Sequence, residues 1–249
     1  CYMLKIKRMR IFAGPNGSGK STLFDLYKEQ FNPGVFLNSD VIDQILLKDG
    51  SLNLSNYGLT SKNTDLEEFY KKKDAKSLLG KATSEGFPIK LTINENKIFD
   101  ESTNSQSYGS SLINSFIRSK LFDEGINFCF ETVMSHESKL QEISEAKNRG
   151  YKTYLYFVCL DDVEVNISRV DNRVNQGGHS VDDGKIKARY TRTLNNLLHA
   201  INLADESYLF DNSNEMLLFA EVKNGEINIL VDEEFIPNWF FEYVVNKMS

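Results

Sequence analysis

A largely apolar run, Met9 to Ala13, leads without a break into Gly14-Pro15-Asn16-Gly17-Ser18-Gly19-Lys20-Ser21, and a helical pattern (Leu23, Phe24, Leu26, Tyr27) follows at once. The eight residues match G-x-x-x-x-G-K-[ST] in full, in the strand-to-helix setting that this pattern requires. Glycines let the backbone curl so that successive N–H groups converge on an anion, and the following helix N-terminus adds partial positive charge. Gly14, Asn16, Gly17, Ser18, Gly19, Lys20, Ser21 and Thr22 are therefore the expected nucleotide-binding residues. Lys20 brings a point charge to the β- and γ-phosphates of ATP, and the Ser21 hydroxyl is the expected magnesium (Mg2+) ligand.

The rest of the chain reads as an α/β P-loop NTPase/kinase fold. Strands are expected at 9–13, 35–37, 127–130, 151–160 and 206–210, separated by helical patterns such as Val163, Ile167, Val170 and Val174. That alternation predicts a central, mostly parallel five-stranded sheet flanked by helices, with ligands at the strands' C-terminal ends. The whole of 1–249 reads as one P-loop kinase domain, carrying an inserted segment at about 51–110 and a lid at about 169–192. Within the insertion, 89–99 alternates as a hairpin around Asn94-Glu95-Asn96, while 69–76 is a basic run and 102–111 is polar and serine-rich; the insertion as a whole is expected to be mobile at its edges. A C-terminal β-hairpin (217–222 and 227–231 around Asn224-Gly225) plus a helix at 239–245 complete the reading.

Composition narrows the partners. Net charge is −6, which disfavours nucleic acid and anionic membrane surfaces. The three cysteines, Cys1, Cys129 and Cys159, form no CxxC pair, and His136, His179 and His199 have no metal-ligand spacing. No apolar stretch approaches the roughly 20 residues that span a bilayer. Lys5, Lys7, Arg8 and Arg10 interrupt what would be the apolar part of a signal peptide, so the expected compartment is the cytoplasm.

Phosphoryl transfer needs an oriented hydroxyl, a metal and positive charge on the migrating group. Asp40, at the end of the second strand, is a candidate base for an acceptor hydroxyl or else the N-cap of the 41–47 helix. Glu131 ends the third strand after Phe128-Cys129-Phe130, where a charge points to substrate or metal-water contact. Arg169 and Arg173 share one helix face, Gln176-Gly177-Gly178-His179 forms a break, and Arg189 and Arg192 follow. These pairs read as a lid closing over ATP, with a solvated charged face beside Asp171, Asp182 and Asp183 as the alternative. A transporter-like or motor-like ATPase acting on a partner is the rival function, since the Gly14 to Thr22 sequence is typical of transporter-type ATPases and Phe157 to Asp162 looks like an apolar strand ending in a Walker B acid. No Leu-Ser-Gly-Gly-Gln-like signature precedes that strand.

The phosphate loop, Asn38-Ser39-Asp40, Phe130-Glu131-Thr132, Arg169-Val170 through His179, Ala188-Arg189-Tyr190, Leu194 to Leu197 and Phe210-Asp211-Asn212-Ser213 together resemble the zeta toxin family of P-loop kinases. The resemblance implies a bacterial toxin of a toxin–antitoxin pair, with an antitoxin that blocks the ATP site. It implies an ATP-dependent kinase acting on a small-molecule hydroxyl, the 3′-hydroxyl of UDP-N-acetylglucosamine in studied members. Lys20 would be the phosphate-loop lysine, Asp40 the base and Glu131 a substrate-holding residue. Arg169, Arg173 and Arg189 would stabilise the γ-phosphate, with Arg173 also binding the nucleotide. Two departures leave a different acceptor open beside UDP-N-acetylglucosamine, the leading one: Glu131-Thr132-Val133 stands where related sequences carry Glu-Thr-Thr, and the insertion falls between Asp40 and Glu131.

Overall fold

The computed structural model describes residues 6–105, 107–175 and 181–248. The chain divides into two compact units, one formed by residues 1–34 and 129–249 and the other by residues 35–128.

The first unit starts with β1 (Lys7–Ala13), the phosphate loop and α1 (Lys20–Tyr27). The second unit contains β2 (Val35–Leu37), α2 (Ser39–Asp49), β3 (Leu52–Asn53), α3 (Asn63–Tyr70), α4 (Lys73–Ser84), β4 (Leu91–Asn94), β5 (Lys97–Asp100) and α5 (Ser107–Glu124). The chain then returns to the first unit with β6 (Phe128–Thr132), α6 (Ser138–Asn148), β7 (Tyr151–Cys159), α7 (Val163–Asn175) and α8 (Asp183–Leu203). The hairpin strands follow β8 (Glu206–Asp211) as β9 (Leu217–Lys223) and β10 (Glu226–Ile229), and α9 (Asn238–Tyr243) comes last.

In the first unit the strand order is β10-β9-β8-β7-β1-β6. β1 and β8 both run parallel to β7, which makes β7 central and explains its nearly unbroken apolar sequence. The mostly parallel sheet is as expected, and the C-terminal hairpin extends it: β9 pairs antiparallel with β8, and β10 with β9. Aromatic rings fill one face under α1. Phe12 stacks on Tyr156 at 4.9 Å and meets Phe24 edge-on at 5.3 Å, while Tyr27 meets Phe210 at 5.4 Å. Each such ring contributes about 1.5–3 kcal/mol by leaving water. Cys129 and Cys159 are buried thiols in this core, and burial pushes Cys129 up to about 12.

Two side-chain anchors fix opposite ends of the sheet, one after β7 beside the phosphate loop and one at the far end, where β7 and β8 begin. Asp162 caps the start of α7 by accepting from the Glu164 N–H at 2.9 Å. At the start of β8, burial pushes the Asp205 carboxyl up, but bonds from the Thr153 amide and hydroxyl and from Lys147 outweigh it and hold it below its ordinary range.

The second unit departs from the reading of 51–110 as a hairpin with loose edges. The hairpin is present as β4–β5, but β3 joins it to make a three-stranded antiparallel sheet, and α3 and α4 fill the basic stretch. The serine-rich segment runs into α5. Asp100 accepts from the Ser102 N–H at 3.0 Å and the Ser105 hydroxyl at 2.5 Å, so these polar residues form a bonded turn. Gly109 allows this, because a Cβ there would fall 2.0 Å from Asp100 Oδ2. The buried face of α5 (Leu112, Ile113, Phe116, Ile117, Leu121) supplies most of the unit's core.

Candidate active site

The phosphate loop leaves β1 at Gly14, whose N–H donates to Thr132 O at 3.3 Å, tying the loop to the end of β6. Lys20 curls back over the loop, with Nζ donating to Gly14 O at 3.0 Å and Pro15 O at 2.8 Å. Ser21, in the first turn of α1, donates from Oγ to Glu131 Oε2 at 3.1 Å. The hydroxyl at the end of the motif and the acid at the end of β6 thus form one oxygen-rich corner. Hard oxygen donors of this kind, few in number, suit Mg2+, which keeps most of its waters and takes one or two protein ligands beside phosphate oxygens. Ser21 and Glu131 fit the ion that the fold implies.

Two asparagines hold the outside of the loop. Asn166, on α7 and fully buried, donates from Nδ2 to Asn16 O at 2.6 Å. Asn212, just after β8, donates from Nδ2 to Ser18 O at 2.8 Å. Arg169 joins the two segments, with Nη2 donating to Asn212 O at 3.0 Å. The glycines make these approaches possible: a Cβ on Gly17 would sit 2.4 Å from Asn166 O, and one on Gly19 would sit 2.5 Å from Asn212 Nδ2. Asn166 was not singled out in the sequence. Its signal was there, because it falls in the apolar row of α7 between Val163 and Val170 at three- and four-residue spacing.

The arginine-bearing helices pack through their valine stripe, with Ile167, Val170 and Ile186 buried and Val174 and Val181 against them. Burial pushes the Tyr190 hydroxyl well above its ordinary value, so it stays a donor. It bonds Leu160 O at 2.8 Å and Asp161 O at 3.2 Å, fixing α8 to the end of β7. Arg173 is exposed on the last turn of α7, and Arg189 is half-buried on α8. The Gln176-Gly177-Gly178-His179 break lies outside the described residues.

Asp40 belongs to the second unit. It is not the N-cap of its helix, since Asn38 fills that place and accepts from the Asp40 N–H at 2.8 Å. The Asp40 carboxylate is exposed in the first turn of α2 and has no hydrogen-bond partner among the described residues. Asn114 of α5 donates to the neighbouring Ser39 Oγ at 3.0 Å.

The Walker B-like acid has another task. Asp161 accepts from the first two N–H groups of α9, Asn238 at 3.3 Å and Trp239 at 2.9 Å, and Asp211 accepts from Trp239 Nε1 at 3.1 Å. The carboxylate that ends β7 anchors a helix.

A family model described as zeta toxin matches residues 91–224, more than half of the chain. The chain belongs to the zeta toxin family. The zeta toxin match takes in Glu131, Asn166, Arg169, Arg173, Arg189 and Asn212. Among solved structures, the fold is similar to a chain of the AvrRxo1-ORF1:AvrRxo1-ORF2 crystal structure with sulphate ions. That chain is 17% identical with a TM-score of 0.54, over 92% of this chain and 62% of that one. The native AvrRxo1-ORF1:-ORF2 complex gives 15% identity and a TM-score of 0.51 over the same shares. A 65-residue stretch, 26% of this chain, is 34% identical to an uncharacterised protein of Haemophilus influenzae and covers 46% of it. This zeta toxin chain therefore spans less than two thirds of each of these three proteins.

Proposed function

We propose that the chain is an ATP-dependent phosphotransferase of the zeta toxin type. It moves the γ-phosphoryl group of ATP to a hydroxyl of a nucleotide sugar, with UDP-N-acetylglucosamine the leading acceptor. The observation that carries this reading is the Ser21 Oγ to Glu131 Oε2 bond beside the phosphate loop. Ser21 and Glu131 are the residues that would hold magnesium, which when bound would supply positive charge beside the phosphates of ATP. Lys20 binds the same phosphates. Asp40 accepts the proton of the acceptor hydroxyl as its oxygen bonds the γ-phosphorus, while the bond to the β-γ bridging oxygen breaks and ADP leaves. Arg173 and Arg189 place positive charge on the migrating group. Arg169 has one nitrogen committed to Asn212 O, so its contribution includes holding the frame.

Membership in the zeta toxin family supports an antitoxin as protein partner and the cytoplasm as the place of action. Among the described residues, no helix is long and apolar enough to cross a membrane. The partner-driven ATPase reading loses its second support, the Walker B-like acid, because Asp161 is engaged by the start of α9.

The test is incubation with labelled ATP, magnesium and a panel of nucleotide sugars, with products identified by mass spectrometry. A monophosphorylated sugar nucleotide is expected, and Asp40→Asn should slow its formation about 10²–10⁴-fold while leaving ATP binding intact. ATP turnover without a phosphorylated acceptor would move the reading to the ATPase. Transfer at an unchanged rate in Asp40→Asn would remove that residue as the base.

A further inference from the structure

We propose that Asn166 and Asn212 are positioning residues that set the phosphate loop in its anion-binding shape, a role that rests on the ATP-binding reading above. A loop whose N–H groups converge on phosphate must turn carbonyls the other way, because each peptide plane carries its N–H and C=O on opposite sides. Asn16 O and Ser18 O are two such carbonyls, and each takes an amide donor from a different segment: Asn166 Nδ2 at 2.6 Å and Asn212 Nδ2 at 2.8 Å. Arg169 Nη2 on Asn212 O closes a ring that joins the loop, α7 and the turn after β8. Rotating either peptide to aim its carbonyl at the nucleotide would break one of these bonds and turn an N–H away from it.

The ring also links the loop to the arginines. Asn166, Arg169 and Arg173 lie at i, i+3 and i+7 on α7 and share one helix face. The asparagine that fixes Asn16 O thereby fixes the register from which the two arginines project.

A second observation separates this role from simple packing. Asn166 is fully buried, yet its Oδ1 has no hydrogen-bond partner among the described residues. A buried amide with one unsatisfied acceptor costs stability, and a leucine would fill the volume without that cost. The position keeps the amide where only its donor is used, and that donor is aimed at the phosphate loop.

The test is equilibrium binding of ATP, with tripolyphosphate as a base-free probe, to the full chain and to Asn166→Leu, Asn166→Ala, Asn212→Ala and Asn212→Asp, beside thermal unfolding of each. Loss of one hydrogen bond predicts about tenfold weaker binding of both probes in each alanine variant. Asn166→Leu removes the unsatisfied Oδ1 but also the donor to Asn16 O, so its unfolding temperature should stay close to wild type while both probes bind weakly. Asn212→Asp keeps the shape, loses the donor and should bind more weakly than Asn212→Ala. Wild-type affinity in Asn166→Leu and Asn212→Asp would overturn the positioning role while leaving the ATP site intact. A wild-type chain that binds neither probe would overturn the ATP-binding reading and this one with it.

Discussion

The phosphate loop of the first unit and the hairpin turn of the second both reverse the chain through left-handed residues, yet they fill those positions differently. The loop uses Gly17 (φ 75°) and Gly19 (φ 102°), whereas the hairpin uses Glu95 (φ 48°) and Asn96 (φ 60°). Backbone angle alone favours glycine at all four. What separates them is the space around Cβ. At the loop, Asn166 O and Asn212 Nδ2 occupy that space. In the hairpin, Glu95 is exposed and Asn96 uses its side chain. Its Oδ1 accepts from the Ser61 N–H at 2.9 Å, and its Nδ2 donates to Ser55 Oγ and Leu59 O, each at 2.9 Å. Glycine is obligatory where a neighbouring segment must come close, and asparagine serves where the turn itself must reach out.

The comparison is most exposed to failure at Gly17. Gly17→Ala brings both a disfavoured φ and a clash with a backbone carbonyl, so a loss of ATP affinity of about 100-fold or more is expected by calorimetry. Near-normal affinity would show that the approach of α7 to the loop is not required. Asn96→Ala should lower unfolding free energy by about 2–3 kcal/mol in a denaturant titration, from several lost hydrogen bonds, and leave ATP affinity unchanged. Asn96→Gly then sharpens the point: it relieves the backbone and should still destabilise, because the side chain is what the turn uses.

Acid provides a smaller test that compares the units. The Asp65 carboxyl, in the second unit, is held below its ordinary range by the Lys62 N–H first and by Lys120 with it, against an opposing push from burial. Asp205 is depressed in the first unit. For both, folded values lie below unfolded ones, so their stabilisation is complete above the unfolded carboxyl range near pH 4 and fades as pH falls through the folded value. Hydrogen-exchange protection, taken relative to the intrinsic rate at each pH, should therefore fall in both units between pH 5 and 3. Asp65→Asn should flatten that response in the second unit alone, and Asp205→Asn in the first. The smallest effect belongs to Glu95→Gly, expected to change stability by no more than about 1 kcal/mol, since relieved strain is offset by a freer unfolded chain.

The same contrast explains what could be read in the sequence. The loop was legible because crowding forces glycines into a fixed pattern, and β7 was legible because two covered faces demand a continuous apolar run. Beyond β2 and the β4–β5 hairpin, the second unit was not. β3 has only two residues, and the buried rows of α3 and α4 amount to Leu66 with Phe69 and Ala75 with Ala82. The start of α5 is disguised by serines that bond inside the helix, as Ser111 does to Ser107 O at 2.6 Å. In the candidate site, residue types marked Lys20, Ser21 and Glu131 as chemistry-bearing. For Asp161 and Arg169 the type was informative but the partner was not, because Asn238 and Asn212 lie 77 and 43 residues away.

Trp239 is the only tryptophan of the chain. It is 2% exposed, wedged between Phe157 and Phe219, and bonded through its indole N–H to Asp211, the residue before Asn212. The molecule therefore carries its own optical probe, one covalent step from the amide that grips the phosphate loop. Indole emission depends on the charge bonded to the ring nitrogen and on the water around it. A nucleotide that shifts the turn after β8 will change the colour or yield of a single unlabelled fluorophore, and one that leaves that turn still will be optically silent.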